Sequence, residues 1–331
     1  MSKRKLSKKA NIALVSIVAM TFLLVLILHE NPFANPSQEL IKKWIASAII
    51  IVSLILYGVL YDKITVLPSE LYQNRRLIWK LAKNDFKTRF AGSYLGIVWA
   101  FVQPVVTILV YWIVFEKGLN AKAEVLASGV AAPYVLWLTA GLVPWFYFSE
   151  ALSNGTTALL EYNYLVKKVV FKISILPIIK IIGATFIHGF FVLFTLLLFM
   201  AHGFFPDAHT LQIFYYSFCL FVFVLGISYA TCSIVIFFRD LTQIIGIILQ
   251  VGMWATPILW KLSMVPERYQ ILFKFNPMFY IVNGYRSALL EKTWFWEDFY
   301  STMFFWITTA VLFGIGALIF KRLKVHFADM L

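Results

Sequence analysis

Residues 71–115 read LYQNRRLIWKLAKNDFKTRFAGSYLGIVWAFVQPVVTILVYWIVF. In the first half, apolar residues such as Ile78, Ala82 and Phe86 recur at helical spacing among lysines and arginines, so a helix here has one apolar and one cationic face. The second half, from residue 94, is apolar for about the 20 residues that a helix needs to cross a bilayer. This stretch therefore predicts an amphipathic helix on the anionic surface of a membrane, followed at once by a membrane-spanning helix.

The composition of the 331-residue chain indicates the same environment. Hydrophobic residues make up 61% of the chain and charged residues only 14%, with a mean hydropathy of +0.81, which leaves too little polar surface for a soluble globule. The net charge of +13 could indicate nucleic-acid binding, but the basic residues lie in short connectors between apolar runs. We therefore expect membrane lipids as the main surroundings and no nucleic-acid partner.

The two cysteines, Cys219 and Cys232, lie 13 residues apart in one apolar stretch that should form a single helix. At that separation on a straight helix they are too far apart for a disulfide. We interpret both as small buried apolar residues rather than as redox groups, and we expect no metal site.

Two apolar runs precede the amphipathic stretch. The first, residues 12–28, follows the basic segment MSKRKLSKKA and resembles the start of a signal peptide. It is long for the core of a signal peptide, however, and the following HENPFANP has no small-x-small cleavage site. We favour a retained anchor that forms an antiparallel hairpin in the membrane with the second run, residues 44–61.

Eight apolar runs in all are candidate membrane spans. They are residues 12–28, 44–61, 94–115, 131–149, 173–200, 210–238, 241–260 and 301–320. With the N-terminus inside, the inner segments carry 19 lysines and arginines and the outer segments carry 9, so we expect both termini in the cytoplasm. The sequence therefore predicts an all-α polytopic membrane protein with about eight transmembrane helices.

The sixth and seventh runs are separated only by Arg239 and Asp240. An ionised pair in lipid is costly unless it reaches the interface or is neutralised locally. Two interpretations stay open, namely a tight cytoplasmic hairpin with the side chains paired or facing headgroups, and a contact with another subunit.

The longer cytoplasmic connector contains NGTTALLEYNYLVKKVVFK, residues 154–172. Asn154 or Thr156 could cap a helix whose early Glu161 and late Lys168 suit the helix dipole. The apolar residues of this segment leave two alternatives. It is either an interfacial helix sunk into headgroups or a helix whose apolar ridge fits a groove of a cytoplasmic partner.

The outer segment 261–300 is apolar enough to enter the membrane, but Lys274, Asn276, Pro277 and Arg286 interrupt it. These interruptions favour short re-entrant or interfacial helices that face protein or a water-filled cavity.

Aromatic residues are frequent, with 32 Phe, 16 Tyr and 11 Trp. Most of those near the ends of spans should be ordinary interfacial residues. Alternatively, their flat faces could pack against the C–H faces of sugar rings and line a glycan path. The candidates for such a path are Tyr111, Trp112, Trp145, Tyr147, Trp254 and Trp260.

Motifs of catalysis are missing from the sequence. It has no Gly-x4-Gly-Lys-Ser/Thr phosphate loop, no His-Glu-x-x-His and no Gly-x-Ser-x-Gly, so we expect neither ATP binding nor catalytic residues on this chain. Among ionisable residues near the middle of a span, His188 is the main one, and we interpret it as a hydrogen-bonded packing residue. An ion-driven carrier usually needs charges deep in the membrane, so the energy for any uphill transport should come from a partner.

Three ordered segments resemble the type-2 ABC exporter permeases of bacterial polysaccharides, the group that handles O-antigen, capsule and teichoic acid. These segments are KNDFKTRFAGSYLGIVWAFVQPVV (83–106), FFRDLTQIIGIILQVGMWATPILW (237–260) and FNPMFYIVNGYRSALL (275–290). The resemblance covers about residues 74–331.

The resemblance implies a homodimer with six spans in each subunit, working with two copies of a separate cytoplasmic ATPase that holds ATP and Mg. It implies that residues 67–93 form an interfacial elbow helix and that residues 153–172 contain a coupling helix seated in the ATPase. The elbow candidates are Arg75, Arg76, Trp79, Lys80 and Lys83. The coupling candidates are Leu160, Glu161, Tyr164, Leu165 and Lys168. Part of the path between the subunits would be lined by the aromatic candidates.

The N-terminus departs from this family pattern. Residues 1–66, an extension with two spans, precede the elbow helix and the six-span core of residues 94–331. The extension could seal the flank of the pore, bind the lipid end of the substrate or contact another membrane protein.

The expected function is export of lipid-linked polysaccharide across the bacterial cytoplasmic membrane by a transport subunit that is not an enzyme. The alternatives are a membrane-embedded glycan polymerase or ligase, and an ion-driven flippase of lipid-linked glycan.

Overall fold

The computed structural model describes residues 8–28, 36–89, 94–120, 124–125, 131–166 and 172–330. Helices account for nearly all of these residues. The described strands, β1 (Glu124–Val125) and β2 (Ala131–Ala132), pair antiparallel. The chain divides into two compact units, Met1–Ser69 and Glu70–Leu331.

The first unit is a helical hairpin of α1 (Lys8–Leu28) and α2 (Pro36–Ile64). The Asn11 side chain donates a hydrogen bond of 2.8 Å to the Tyr61 hydroxyl, and the Lys43 ammonium donates to the Ile27 carbonyl. The start of each helix therefore lies beside the end of the other, which confirms the predicted antiparallel hairpin. Most described side chains of α1 and α2 are exposed although they are apolar, as expected for helices surrounded by lipid.

The second unit contains the remaining helices. After α3 (Val66–Gln73), which begins in the first unit, they are α4 (Arg75–Arg89), α5 (Trp99–Trp112), α6 (Tyr134–Glu161), α7 (Asn163–Val166), α8 (Leu176–Ala201), α9 (Gln212–Ile234), α10 (Leu241–Ala255), α11 (Glu267–Lys274), α12 (Pro277–Arg286), α13 (Phe299–Leu323) and α14 (Phe327–Met330). Turns of 3-10 helix precede α5, α8 and α9, and turns of π-helix follow α5 and α12.

Helix α6 is the centre of this unit, because 20 of its 28 residues are buried. It packs against α8, α9 and α12, and α13 packs on the other side of α9. Small residues permit these close crossings. A Cβ at Gly155 would lie 2.4 Å from the Ser228 Oγ on α9, and one at Gly316 on α13 would lie 2.2 Å from the Gly226 carbonyl oxygen.

The unit has two ends, which we name after the helices nearest to them. Helices α6, α9 and α13 finish at the α4 end, whereas α8 starts there. At the α12 end, the Tyr134 hydroxyl at the start of α6 donates to the Leu259 carbonyl, and the Gln212 side chain at the start of α9 donates to the Thr293 carbonyl.

Seven helices of the described residues are long and apolar enough to cross a membrane. The sequence predicted eight spans, and the difference lies in residues 241–260. There α10 ends at Ala255, after 15 residues, and the next residues are not helical. Pro257 disfavours helical geometry at the preceding residue, and Thr256 is extended with ψ of 130°.

A second correction concerns the connector after the fourth span. The sequence predicted a separate helix capped by Asn154 or Thr156, but both residues lie inside α6. The Thr156 hydroxyl donates to the Leu152 carbonyl, as in an uninterrupted helix, and contacts the Thr231 hydroxyl on α9 at 2.8 Å. The α6 helix therefore continues to Glu161, and only the short α7 follows.

Candidate functional site

A cluster of charged side chains joins three helices at the α4 end. Lys180 on α8 places its Nζ 2.7 Å from an oxygen of Asp85 on α4 and 2.7 Å from an oxygen of Glu161, the last residue of α6. The Tyr162 hydroxyl donates to Asp85, and its ring lies 4.8 Å from the Lys180 Nζ. We call Asp85, Glu161, Tyr162 and Lys180 the α4 cluster.

Two charged groups of the α4 cluster are largely buried, so their stability depends on their mutual contact. The side chains of Lys180 and Asp85 are only 12% and 13% exposed, so each charge depends on its partner for the solvation that it loses. Burial raises the pKa of Tyr162, and the nearby Asp85 carboxylate raises it further. Tyr162 therefore stays protonated and acts as a donor to Asp85.

Two further contacts strengthen the same junction. Arg89, the last residue of α4, lies 2.5 Å from Glu150 on α6. The Ser174 hydroxyl, just before α8, donates to Glu70 on α3, while the Ser174 carbonyl accepts from Tyr229 on α9. Helix α4 is thus joined to α6 at Glu150, through Arg89, and just after the end of α6 at Tyr162, through Asp85. These two contacts are about three helical turns apart along α6, so the two helices should move together.

A polar recess accompanies the cluster. One cavity of about 380 Å3 is lined by Thr88, Arg89, Asn154 and the α4 cluster. A second cavity of about 420 Å3 shares Arg89 and Asn154 with it and extends between α5, α6 and α8 as far as His188.

The predicted coupling residues occupy the end of α6 and the helix after it. Leu160 and Glu161 are in the last turn of α6, and Tyr164 and Leu165 are in α7, with Tyr164 56% exposed. Lys168 lies outside the described residues. The structure adds what the sequence did not indicate, namely that Glu161 belongs to the α4 cluster through Lys180.

The segment predicted as the elbow, residues 67–93, is helical in α3 and α4, its last four residues lie outside the described ones, and its interfacial position stays a prediction. Helix α4 carries the named candidates. Its residues Ile78 and Ala82 are buried and face α8, and Trp79 meets Phe186 edge to face at 5.4 Å. The basic candidates Arg75, Arg76, Lys80 and Lys83 are all exposed.

Two aromatic candidates, Trp145 and Tyr147, are buried inside α6. The Tyr147 ring stacks on His188 at 4.4 Å and its hydroxyl hydrogen-bonds Thr185, while Trp145 packs against Phe148. These side chains are part of the core of the second unit.

The other aromatic candidates are more accessible. Tyr111 and Trp112 are partly exposed on α5, and Trp254 on α10 is 57% exposed. Trp260 donates its indole N–H to the Trp254 carbonyl at 2.9 Å. A glycan path along the six candidates stays a prediction.

His188 has the surroundings of a packing residue, as the sequence suggested. Its Nε2 lies 3.1 Å from the Ser217 hydroxyl and 2.9 Å from the Tyr285 hydroxyl, and these two hydroxyls are 2.6 Å apart. This polar triangle links α8, α9 and α12.

Arg286 has a structural role that its sequence context did not indicate. It is 5% exposed and donates to the carbonyls of Pro257 and Ile258 at 2.8 and 2.9 Å. Its guanidinium carbon lies 3.4 Å from the centre of the Trp137 ring. Arg286 therefore satisfies the carbonyls that are freed where α10 stops, and it fixes α12 to α6.

Asn276 and Pro277 have a matching role at the start of α12. The Asn276 Oδ1 accepts from the Met278 N–H, and its Nδ2 donates to Thr256. Pro277 occupies the first turn, where its missing N–H costs nothing. The Asn-Pro pair thus starts α12 and holds the extended segment after α10.

Comparison with known proteins agrees with this architecture. The profile of the family described as ABC-2 type transporter matches residues 76–290, which is more than half of the chain. An O-antigen export system permease protein RfbA of Myxococcus xanthus is 28% identical over 265 residues, covering 80% of this chain and 98% of that protein. RfbA of Klebsiella pneumoniae is 25% identical over 77% of this chain and 95% of its own length.

The polysialic acid transport protein KpsM of Escherichia coli is more distant. It is 23% identical over 62% of this chain and 78% of its own length. The family match extends from α4, which carries Asp85, through Arg286 at the end of α12 and into the turn after it, so it includes both ends described above. The chain belongs to the ABC-2 type transporter family, as a multi-pass, all-α membrane protein.

Proposed function

We propose that this chain is the membrane subunit of an ATP-driven exporter that moves lipid-linked polysaccharide across the bacterial cytoplasmic membrane. The observation that carries the proposal is the match to an O-antigen export permease over 98% of that protein's length. The names of the relatives favour this function over the polymerase, ligase and ion-driven alternatives.

The energy in this proposal comes from two copies of a cytoplasmic ATPase subunit, which bind ATP and Mg. The sequence supports that division, since it contains no phosphate-binding loop. The exposed Tyr164 on α7 would fit a groove of the ATPase, and the α4 cluster would pass its movement to α4. This chain would then supply the path and the lever rather than the hydrolysis.

The functional unit in this proposal is a homodimer with the substrate path between its subunits. In this proposal the second copy covers the exposed apolar face of α10 that Ile244, Ile247, Ile248, Val251 and Trp254 form. In this proposal the residues before 67 form a separate two-span extension, residues 67–93 form the elbow and residues 94–331 form the six-span core.

The orientation places the α4 end and both termini in the cytoplasm. The excess of lysine and arginine in the connectors on that side supports it. The variant Val325→Cys, at the α4 end but outside the proposed coupling surface, should then react with a membrane-impermeant maleimide only after permeabilisation, and Trp296→Cys should react in intact cells. These positions are 77% and 54% exposed, and both native cysteines are buried. Reaction of Val325→Cys in intact cells would reverse the orientation.

Copurification tests the proposal as a whole. The tagged full-length chain, gently solubilised from its own host, should bring an ABC ATPase with it in equal amount. Vesicles that contain the complex should move lipid-linked glycan only with ATP. Glycan transport by the purified chain without any ATPase would contradict the proposal.

A further inference from the structure

The α12 end contains a groove to which the proposed function assigns no role. Two cavities, of about 450 and about 340 Å3, lie there side by side. They share the residues Phe279, Asn283, Glu291, Asp298 and Ser301. We treat them as one space with two lobes and call it the α12 groove.

The shared wall offers both an apolar surface and free polar groups. Phe279 and Asn283 are four residues apart on α12 and so lie on the same face of that helix. Within the residues that the structure describes, the Phe279 ring makes no ring contact and the Asn283 carboxamide makes no hydrogen bond. A ligand in the groove can therefore meet one flat ring, two N–H donors and one carbonyl acceptor.

The smaller lobe adds aromatic rings and carboxylates. Tyr216, Trp294 and Phe295 contribute rings to its wall, and Glu291, Glu297 and Asp298 contribute carboxylates. Local hydrogen bonds hold these carboxylates in place, because Glu297 accepts from the Trp294 N–H and Asp298 from the Ser301 N–H. Of the described residues that line this lobe, none is a lysine or an arginine, so the lobe is anionic.

The geometry points to a binding site for uncharged sugar residues in the smaller lobe of the α12 groove, an inference that rests on the proposed export of polysaccharide. Aromatic rings pack against the C–H faces of a pyranose, while carboxylate and amide oxygens accept hydrogen bonds from its hydroxyl groups. The carboxylates of the smaller lobe oppose acidic sugars, since like charges repel, whereas the larger lobe carries Lys261, Lys274 and Arg286 as well as carboxylates. The volume of the smaller lobe falls in the range of small-molecule sites, roughly 300–1,000 Å3.

In the proposed orientation this groove opens on the outer side of the membrane. A sugar held there would be one that has already crossed. The site would therefore hold the emerging glycan against backward movement, separately from the ATPase at the α4 end.

Saturation-transfer NMR on the full-length chain in nanodiscs tests the site. The probes are mannohexaose and maltohexaose as neutral sugars and a trimer of α2,8-linked sialic acid as the acidic one. We expect transfer to the C–H protons of at least one neutral probe and much weaker transfer to the sialic acid trimer. The double variant Phe279→Ala with Asn283→Ala should reduce that transfer about fivefold or more. The control Phe205→Ala, at a 70% exposed ring outside the groove, should leave it unchanged.

The inference would be overturned by equal transfer in the double variant, by absence of transfer to both neutral probes, or by equal transfer to the acidic trimer. A second measurement separates this failure from failure of the proposed function. The surface polysaccharide is measured in a strain that lacks the gene for this chain and receives either the wild type or the double variant. Restoration by both the wild type and the double variant, with equal amount and chain length, contradicts only the groove. Failure of the wild-type chain to restore any polysaccharide contradicts the proposed function itself.

Discussion

Asp85 and Lys180 join α4 to α8 through a contact of 2.7 Å, and both side chains are nearly buried. Lys180 also pairs with Glu161 at the end of α6, so one ammonium contacts carboxylates of both elements on which the proposed lever depends. Removal of one partner would leave a buried charge unpaired, which lowers the free energy of unfolding, so this contact should contribute to stability.

Replacement of Lys180 by methionine keeps the length of the side chain and removes the charge. Asp85 and Glu161 then remain close together without a cation, and we expect a loss of about 3 kcal/mol of stability, seen as a lower thermal unfolding midpoint in detergent. Lys274→Met is the control, because Lys274 is exposed at the other end of the unit.

A double-variant cycle identifies the cause. If repulsion between the carboxylates destabilises Lys180→Met, then adding Asp85→Leu should recover part of the loss. Equal destabilisation with and without Asp85→Leu would show that the cluster acts through packing alone.

The proposed coupling surface gives a second prediction. Tyr164→Asp with Leu165→Asp places two charges on the apolar side of α7, which should abolish stimulation of ATP hydrolysis by the membrane subunit while its unfolding midpoint stays the same. Val325→Asp, which changes a 77% exposed apolar residue at the same end, should leave stimulation intact.

Unchanged stimulation in the α7 variant would move the coupling surface elsewhere. The turn at Arg239 and Asp240 is the next candidate, because both residues are exposed at the α4 end just before α10.

The predictable parts of this protein are those that a local pattern determines. Helix α4 follows from the spacing of Ile78 and Ala82, and the hairpin of α1 and α2 follows from two long apolar runs around a short connector. The burial of Cys219 and Cys232 also follows, because both lie in one apolar helix.

The parts that could not be predicted depend on contacts distant in sequence. The carbonyls of Pro257 and Leu259, after the end of α10 at Ala255, require partners, and those come from Arg286 and Tyr134, which lie 29 and 125 residues from them. In the same way, Asn154 and Thr156 are suitable caps by residue type, but tight packing of α6 against α9 keeps the helix going past them. Residue type alone cannot rank such alternatives.

The role assigned to Arg286 gives a third prediction. Arg286→Lys keeps the charge but cannot reach the carbonyls of Pro257 and Ile258 in the same planar geometry while stacking on Trp137. We expect a loss of about 2 kcal/mol or more, because at least one buried carbonyl is left unsatisfied. The unfolding midpoint of the purified chain is the measurement.

Arg268→Lys serves as the comparison for Arg286→Lys. Arg268 also lies over an aromatic ring, Tyr269, at 4.6 Å, but it is exposed on α11. If the unfolding midpoint of Arg286→Lys equals that of Arg268→Lys, the hydrogen bonds to the carbonyls of Pro257 and Ile258 contribute little to stability.

The crossing of α6 and α9 gives a fourth prediction, through Gly155→Ala. The new Cβ would lie 2.4 Å from the Ser228 Oγ and 2.9 Å from its Cβ, so the two helices must separate at a point where both are buried. Overpacking of this kind costs about 1–3 kcal/mol. Ser228→Gly in the same chain removes both clashing atoms and should recover most of the stability. Gly189→Ala on α8 meets no atom within 4 Å, so it should be neutral or slightly stabilising, since alanine favours helix more than glycine does. Equal unfolding midpoints for Gly155→Ala and Gly189→Ala would show that the α6–α9 crossing tolerates separation and that the glycine is not needed there.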